Sequence, residues 1–362
     1  MNFSIIKKSQ LEGDLRLDAE YYQPEYLEVE KRLNSITTKS IDEISKSVVS
    51  FGAYSLTNYI EWQETGIPYL NVENIRDGVI DFDNVKYISK EVDEILKKSR
   101  VKEGQVIITM AGTIGEAAVA HKIPPRVNSN QATAKITLKE GFSPYYLAAF
   151  LNSYYGRKQT EREIVSSVQP NIFLWQIKNF KVPIVSIEKQ KEIENIYKNG
   201  LDELESSKSL YSQAENLLLE ELGLKDFKLE DDLFYIVNLS QIKSVHRTDA
   251  EYFQPKYEKL IEKIKKISKP LLEVVDNIPA RFNPQSQQDK NFKYVELEHI
   301  NTSIGIIDED MEILGKEAPS RARRILKAGD VIVSSVEGSL EKVALVHKEQ
   351  EGYLASNGFF PI

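Results

Sequence analysis

One phrase occurs twice in this chain. Residues 16–26 read Arg16-Leu-Asp18-Ala-Glu20-Tyr-Tyr22-Gln-Pro24-Glu-Tyr26, and residues 247–257 read Arg247-Thr-Asp249-Ala-Glu251-Tyr-Phe253-Gln-Pro255-Lys-Tyr257. The match runs back toward the N-terminus, where Phe3, Ile5, Ser9 and Gln10 align with Phe234, Ile236, Ser240 and Gln241. A repeat spaced this widely is not a solenoid, whose units recur every ~20–50 residues. It is a duplicated domain, so the chain offers two similar surfaces to a partner. Its 362 residues suffice for two or three domains of ~100–200 residues each.

The copies keep step beyond the opening. Tyr69-Leu-Asn-Val-Glu73-Asn-Ile75 aligns with Tyr294-Val-Glu-Leu-Glu298-His-Ile300. Both alternate apolar and polar residues, which predicts a half-buried strand. Gly78-Val-Ile-Asp81 aligns with Gly305-Ile-Ile-Asp308, a turn opening a strand. Lys102-Glu-Gly104-Gln-Val-Ile-Ile-Thr109 aligns with Lys327-Ala-Gly329-Asp-Val-Ile-Val-Ser334, a glycine turn before a buried strand. Ala118-Val-Ala120 and Ser129-Asn130 find counterparts in Ala344-Leu-Val346 and Ser356-Asn357.

The first copy continues where the second does not. Pro144 to Leu151 has helical spacing, with Ser143 placed to cap it. From Ser186 to about Leu222 no proline interrupts a run of mixed charged and apolar residues. A helix of that length spans roughly 55 Å. Tyr197, Leu201, Leu204, Tyr211 and Leu218 sit at three- and four-residue spacing along it, and Gly200, Ser207 and Ala214 recur at every seventh position. Small residues on a heptad allow close helix approach, so the pattern predicts half of a helical pair. The alternative is a helix lying on its own domain's core. Gly223 suits a C-cap. The second copy stops at Ile362 without segments matching 144–185 or a second long helix, and reads as a truncated repeat.

Composition excludes several functions. With no cysteine, disulfides, thiolate zinc sites and thiol catalysis are absent, which fits a reducing cytoplasm. Four scattered histidines lack metal-site spacing, so no metal is expected. No apolar run approaches the ~18 residues of a membrane span, and no signal-peptide pattern opens the chain. The net charge of −8 argues against wholesale wrapping by nucleic acid, yet leaves room for local basic patches.

The order of these elements resembles the DNA-specificity subunit of type I restriction-modification systems. The likeness rests on the two Arg-x-Asp-Ala-Glu-Tyr-aromatic-Gln-Pro openings and the Gly66-Ile-Pro-Tyr-Leu70 strand. The paired Lys-x-Gly strands and the Val182-Pro-Ile-Val185 approach to the long helix complete it. The resemblance implies an α+β chain: two similar target-recognition domains, each a twisted β-sheet with short helices, separated by a long coiled-coil-type helix. The expected organisation is a first recognition domain over 1–182, a spacer helix over 183–224, a connector over 225–245 and an incomplete second recognition domain over 246–362. The resemblance further implies that each domain reads half of a split site on double-stranded DNA. The helical rod docks methyltransferase subunits (two are expected), a restriction/translocase subunit can join, and the chain itself is non-catalytic, with no cofactor. A lone helix could also support self-association.

Candidate contacts follow from charge and loop position. Phosphate neutralisation supplies affinity and base-edge contacts supply specificity. Lys97, Lys98 and Arg100 precede one paired strand, and Arg321, Arg323 and Arg324 precede its counterpart; the alternative for each is a solvated face before a turn. The loops before Tyr69 and Tyr294 diverge strongly. One offers Tyr54 and Asn58, and the other Arg281, Asn283 and Gln285. Arg suits guanine edges and Asn or Gln suits adenine edges; ordinary loop drift is the alternative. Gly112-Thr113-Ile-Gly115 reads as a tight strand connection that could bring Thr113 near DNA, rather than as a phosphate cradle.

An enzyme reading finds little support. The Asn/Asp-Pro-Pro-aromatic motif of amino-methyltransferases is absent, as are the P-loop, the Gly-x-Ser-x-Gly elbow and HExxH. Two rivals stay open: a helical interaction scaffold that never touches DNA, and a half-reader that homodimerises on a symmetric site.

Overall fold

The computed structural model describes residues 4–9, 11, 16–50, 60–164, 170–228, 234–265, 267–276 and 279–362. They form two compact units, Met1–Glu203 and Leu204–Ile362.

In the first unit, β1 (Ile67–Leu70) lies between β2 (Lys86–Ile88), antiparallel, and β5 (Asn128–Ser129), parallel. The second sheet centres on β3 (Val106–Thr109), which pairs antiparallel with β4 (Ala117–Val119) and β6 (Thr133–Leu138). All four β3 residues are buried, which explains its unbroken apolar run. Val106 and Ile108 join one core cluster with Leu147 and Leu151 of α2 (Pro144–Asn152), whereas Ile107 joins another with Leu70 and Ile75. The N-terminus of α2 is capped as expected: Ser143 Oγ accepts from Tyr146 N at 3.4 Å, and Pro144 occupies the first turn.

The segment Tyr69–Ile75 corrects the expectation of one alternating strand. The strand stops at Leu70, and Val72–Asn74 forms a 3-10 turn closed by Asn71 N donating to Asn74 Oδ1 at 2.9 Å. Ile75–Arg76 then pairs with Val79–Ile80 across Asp77 and Gly78, whose φ angles of 51° and 81° are those of a two-residue hairpin turn. The second unit repeats the break, with Glu296 N donating to His299 Nδ1 at 3.0 Å before Ile300–Asn301 pairs with Ile306–Ile307.

The long helix α5 (Ile187–Glu221) has 35 residues. It ends where Gly223, at φ 62°, lets Leu224 N reach Leu219 O and Gly223 N reach Glu220 O, a Schellman closure. Two of the expected pairing positions follow the alternative of a helix lying on its own domain's core. Tyr197 and Leu201 pack against the first unit's own core, and Tyr197 Oη donates to Gly78 O. Within the second unit, Tyr211 Oη lies 3.1 Å from where a Cβ on Gly305 would stand. The glycine that turns each hairpin is thus also the place a helix tyrosine touches.

The second unit repeats part of this topology and adds a strand to it. Strand β7 (Asn291–Val295) pairs antiparallel with β8 (Met311–Leu314) and parallel with β12 (Leu354–Ser356). Strand β9 (Ala322–Ile325) pairs with β12. Strand β10 (Val331–Ser334) is flanked by β11 (Val343–Leu345) and β13 (Phe359–Pro361).

The repeated opening is a local clip in both units. Arg16 reaches Asp18 through two nitrogens at 2.9 and 2.5 Å, and its guanidinium stacks 4.4 Å from the Tyr21 ring. Arg247 reaches Asp249 at 2.8 and 2.6 Å and stacks 4.4 Å from Tyr252. A planar fork meeting a carboxylate explains why Arg and Asp recur two residues apart. Tyr21 is buried, whereas Tyr252 is 43% exposed.

Lys135 is an unusual occupant of the first unit's interior. It is 1% exposed, with Nζ 2.9 Å from Ser129 Oγ. Burial pulls its pKa down from 10.5 to about 8. Between those values the unfolded chain holds the extra proton, so this group makes stability rise with pH and penalises the fold below about 8. Lys135→Met is expected to gain ~1–3 kcal/mol at pH 7 in urea unfolding, with the gain shrinking as pH climbs through that window. A difference independent of pH would contradict this assignment.

Candidate nucleic-acid interface

The second unit brings its diverging loop and its arginine strand together. Phe282 N donates to Arg323 O at 3.1 Å, and Arg323 Nη1 donates to Asn283 Oδ1 at 3.2 Å. Arg281, Asn283 and Gln285 are exposed beside β9. The four basic candidates therefore differ in kind. Arg281 is exposed, and Arg323 is half-buried with its guanidinium bonded to Ser320 O and Asn283 Oδ1. Arg321 is bound by Glu296, with Nη2 at 2.7 Å from each carboxylate oxygen and Nε at 3.3 Å from Tyr294 Oη. Burial alone would raise the Glu296 carboxyl, but Arg321 outweighs it and holds it below its usual range. Arg324 points inward at 7% exposure, its guanidinium 5.6 Å from the Phe360 ring, and burial lowers its pKa.

The first unit presents its candidates on a different backbone. Lys97 and Lys98 are exposed on a 3-10 turn, Lys97–Ser99, where the second unit has β9. Arg100 turns back toward the preceding helix, Lys90–Ile95. Its Nη2 lies 2.6 Å from Asp93 Oδ2 and 2.6 Å from Glu94 Oε1, and Arg126 adds a contact to Asp93 at 3.3 Å. Asp93 is fully buried and also accepts from Asn128 Nδ2 at 3.0 Å. Burial pushes its carboxyl up, and the bonds from Arg100 and Asn128 bring it net below the usual carboxylate range. Arg100 thus anchors the turn that displays the two lysines.

Thr113 is exposed on the connection between β3 and β4, its carbonyl accepting from Thr109 Oγ1. Gly112 and Gly115 take φ 69° and 87° there, the backbone of a tight strand connection. Tyr54 and Asn58 lie outside the described residues. Among the described residues no cluster of metal-ligating side chains occurs, and no helix is long and apolar enough to cross a membrane.

The helix has a second face that sequence reading missed. Ile196, Leu210 and Leu217 are 67%, 65% and 60% exposed. Each precedes by four residues a heptad position, and the small side chains of Gly200 and Ala214 are exposed alongside, as is Ser207. Within the second unit Ser207, Leu210, Ala214 and Leu217 form a continuous stripe at three- and four-residue spacing. Of the eight residues read as pairing positions, Ser207 and Ala214 share this open stripe and Gly200 is exposed in the first unit. Leu204 and Tyr211 are half-buried, and Leu218 is 59% exposed beside the stripe. The missed signal was the seventh-residue recurrence of Leu210 and Leu217 themselves.

Comparison with known proteins gives a consistent picture. Residues 34–216, more than half of the chain, match a family profile described as the type I restriction modification DNA specificity domain. The type I restriction enzyme EcoBI specificity subunit of Escherichia coli is 30% identical over 129 residues, covering 35% of this chain and 27% of its own length. The MjaVIII specificity subunit of Methanocaldococcus jannaschii is 22% identical over 186 residues, covering 48% of this chain and 44% of its own. The chain thus matches less than half the length of either relative. Among solved structures, the type I S subunit from M. genitalium aligns over 90% of this chain and 71% of its own, at 13% identity and a TM-score of 0.40. The HsdS subunit from Thermoanaerobacter tengcongensis is 35% identical over 24% of this chain and 22% of its own, with a TM-score of 0.23.

Proposed function

We propose, from the premise that this chain belongs to the type I restriction-modification DNA specificity domain family, that it reads a bipartite double-stranded DNA site. Each unit takes one half of the site. The chain performs no chemistry itself and docks two methyltransferase subunits and a restriction/translocase subunit. One observation carries this reading: in both units one strand lies between an antiparallel and a parallel neighbour, yet the sequences before Tyr69 and Tyr294 diverge. A duplicated scaffold with divergent loops suits two readers of unlike half-sites.

In this reading the recognition domains are 1–182 and 246–362, joined by a spacer helix over 183–224 and a connector over 225–245. Lys97, Lys98, Arg281 and Arg323 neutralise phosphates. Asn283 and Gln285, with Tyr54, Asn58 and Thr113 in the first unit, meet base edges or sugars. Arg100 and Arg324 support the surface from beneath, and Arg321, itself exposed, is held on it by Glu296.

The rival scaffold that avoids DNA draws its best support from the net charge of −8. Salt titration of duplex binding separates the two. Lys97→Ala with Lys98→Ala is expected to flatten the slope of log affinity against log salt by about two units and to weaken all duplexes alike. An unchanged slope counts against these contacts, and absence of any duplex binding, with partner subunits present, favours the scaffold.

A second reading draws on the second unit's open stripe of Leu210 and Leu217 beside Ser207 and Ala214. Large residues alternating with small ones suit a closely packed second helix, here from another copy of the chain. Sedimentation is expected to show a dimer, lost in the Leu210→Glu/Leu217→Glu variant. A monomeric wild type, with one copy per assembled complex, would sink this arrangement.

A further inference from the structure

The second unit's outward loop has a backbone held at both ends and three glutamine side chains left open between them. At its start, Phe282 N and Asn283 Oδ1 bond to Arg323. Pro284 is buried, and Pro284–Ser286 forms a 3-10 turn in which Ser286 N and Oγ both donate to Asn283 O, at 3.1 and 2.7 Å. At its end, Gly315 N donates to Lys290 O at 2.9 Å and Lys316 N donates to Gln288 O at 3.1 Å. This second staple depends on a glycine. A Cβ at position 315 would stand 2.1 Å from Gln287 O and 2.5 Å from Pro284 O, both backbone atoms that cannot swing aside. Between the staples, Gln285, Gln287 and Gln288 are exposed, and their side-chain amides make no hydrogen bond among the described residues.

We infer that residues 285–288 form a preorganised amide-bearing reading loop that recognises adenine in the second half-site, with Gln287 and Gln288 as base contacts and Gly315 as the positioning residue that fixes the loop. This rests on the DNA-reading function proposed above and names the base class that one loop takes. A glutamine amide offers a donor and an acceptor side by side, the complement of the N7 and N6 pattern on adenine's major-groove edge. Three such amides on one short loop would be costly readers if the backbone were loose, because each contact would have to order the chain as it formed. Here the backbone is already ordered by bonds that do not use the amides. Arg323 and Lys316 flank the loop, and their charges suit the phosphates on either side of a groove.

Selection of bound sequences from randomised duplexes, using the full chain with its methyltransferase partners, tests this. Wild type is expected to enrich two separated half-sites. In the Gln287→Ala/Gln288→Ala variant, one or two adenine positions of a single half-site should lose their enrichment at least fivefold, while the other half-site stays as it was. Gly315→Ala should blur that same half-site throughout. Thermal unfolding run alongside reports whether this variant stays folded, and the glutamine variant carries the test if it does not. Unaltered enrichment in the glutamine variant overturns the reading loop while leaving bipartite recognition standing. Loss of both half-sites together also overturns it, since a contact within one loop cannot erase the other. If wild type enriches no sequence at all, the proposed function and this inference fall together.

Discussion

A strand bonded along both edges anchors each unit: Val106–Thr109 in the first and Val331–Ser334 in the second. In the first unit it is also covered on both faces, with Val106, Ile107 and Ile108 wholly buried. Side chains of that size contribute roughly 1.5–3 kcal/mol each when removed from water. Because successive residues face opposite ways, one strand ties together two clusters that would otherwise be independent. The glycine turn before it, at Gly104 and Gly329 with φ 77° and 93°, sets where it begins in both units. The hairpin, the parallel strand pair and the outward loops are arranged around that constant element, so loops can diverge without disturbing what holds them.

Polar groups divide into those that build the surface and those that present themselves on it. Arg100 is committed inward to the buried Asp93, and Arg321, although exposed, is tied to Glu296. Removing Arg100 would leave a buried charge uncompensated, which is why it serves as a support. Lys97, Lys98, Arg281 and the amides of 285–288 are the complement: outward groups on backbone that others hold in place. Gly315 belongs with the supports although it has no side chain, because its lack of one permits the staple.

Much of this was legible in the residues alone. The duplication, the glycine turns, the length of the helix and its end at Gly223 all rest on local chemistry that a sequence displays. What was not legible depended on side-chain contacts that an apolar-polar pattern does not display. The alternation at Tyr69–Ile75 does not announce that the strand stops at Leu70, where the closing acceptor is Asn74 in one unit and His299 in the other. Arg100 and Lys98 look alike as basic residues, and only the fold places Asp93 beneath one of them. Tyr197 joins the helix seam by spacing alone, because a tyrosine satisfies an apolar pattern and a polar one. Its ring packs on Tyr145 while its hydroxyl bonds to Gly78. The exposed Leu210 and Leu217 lie a single residue out of phase with Tyr211 and Leu218.

The central claim is that one scaffold, used twice, reads two unlike half-sites. Mapping methylated bases across a genome, in cells carrying this chain with candidate methyltransferase subunits, tests it most directly. One motif in two unlike parts separated by a fixed unspecified spacer, present only when the chain is expressed, is the expected result. A methylation pattern that does not depend on the chain, or a motif with no second part, would contradict it.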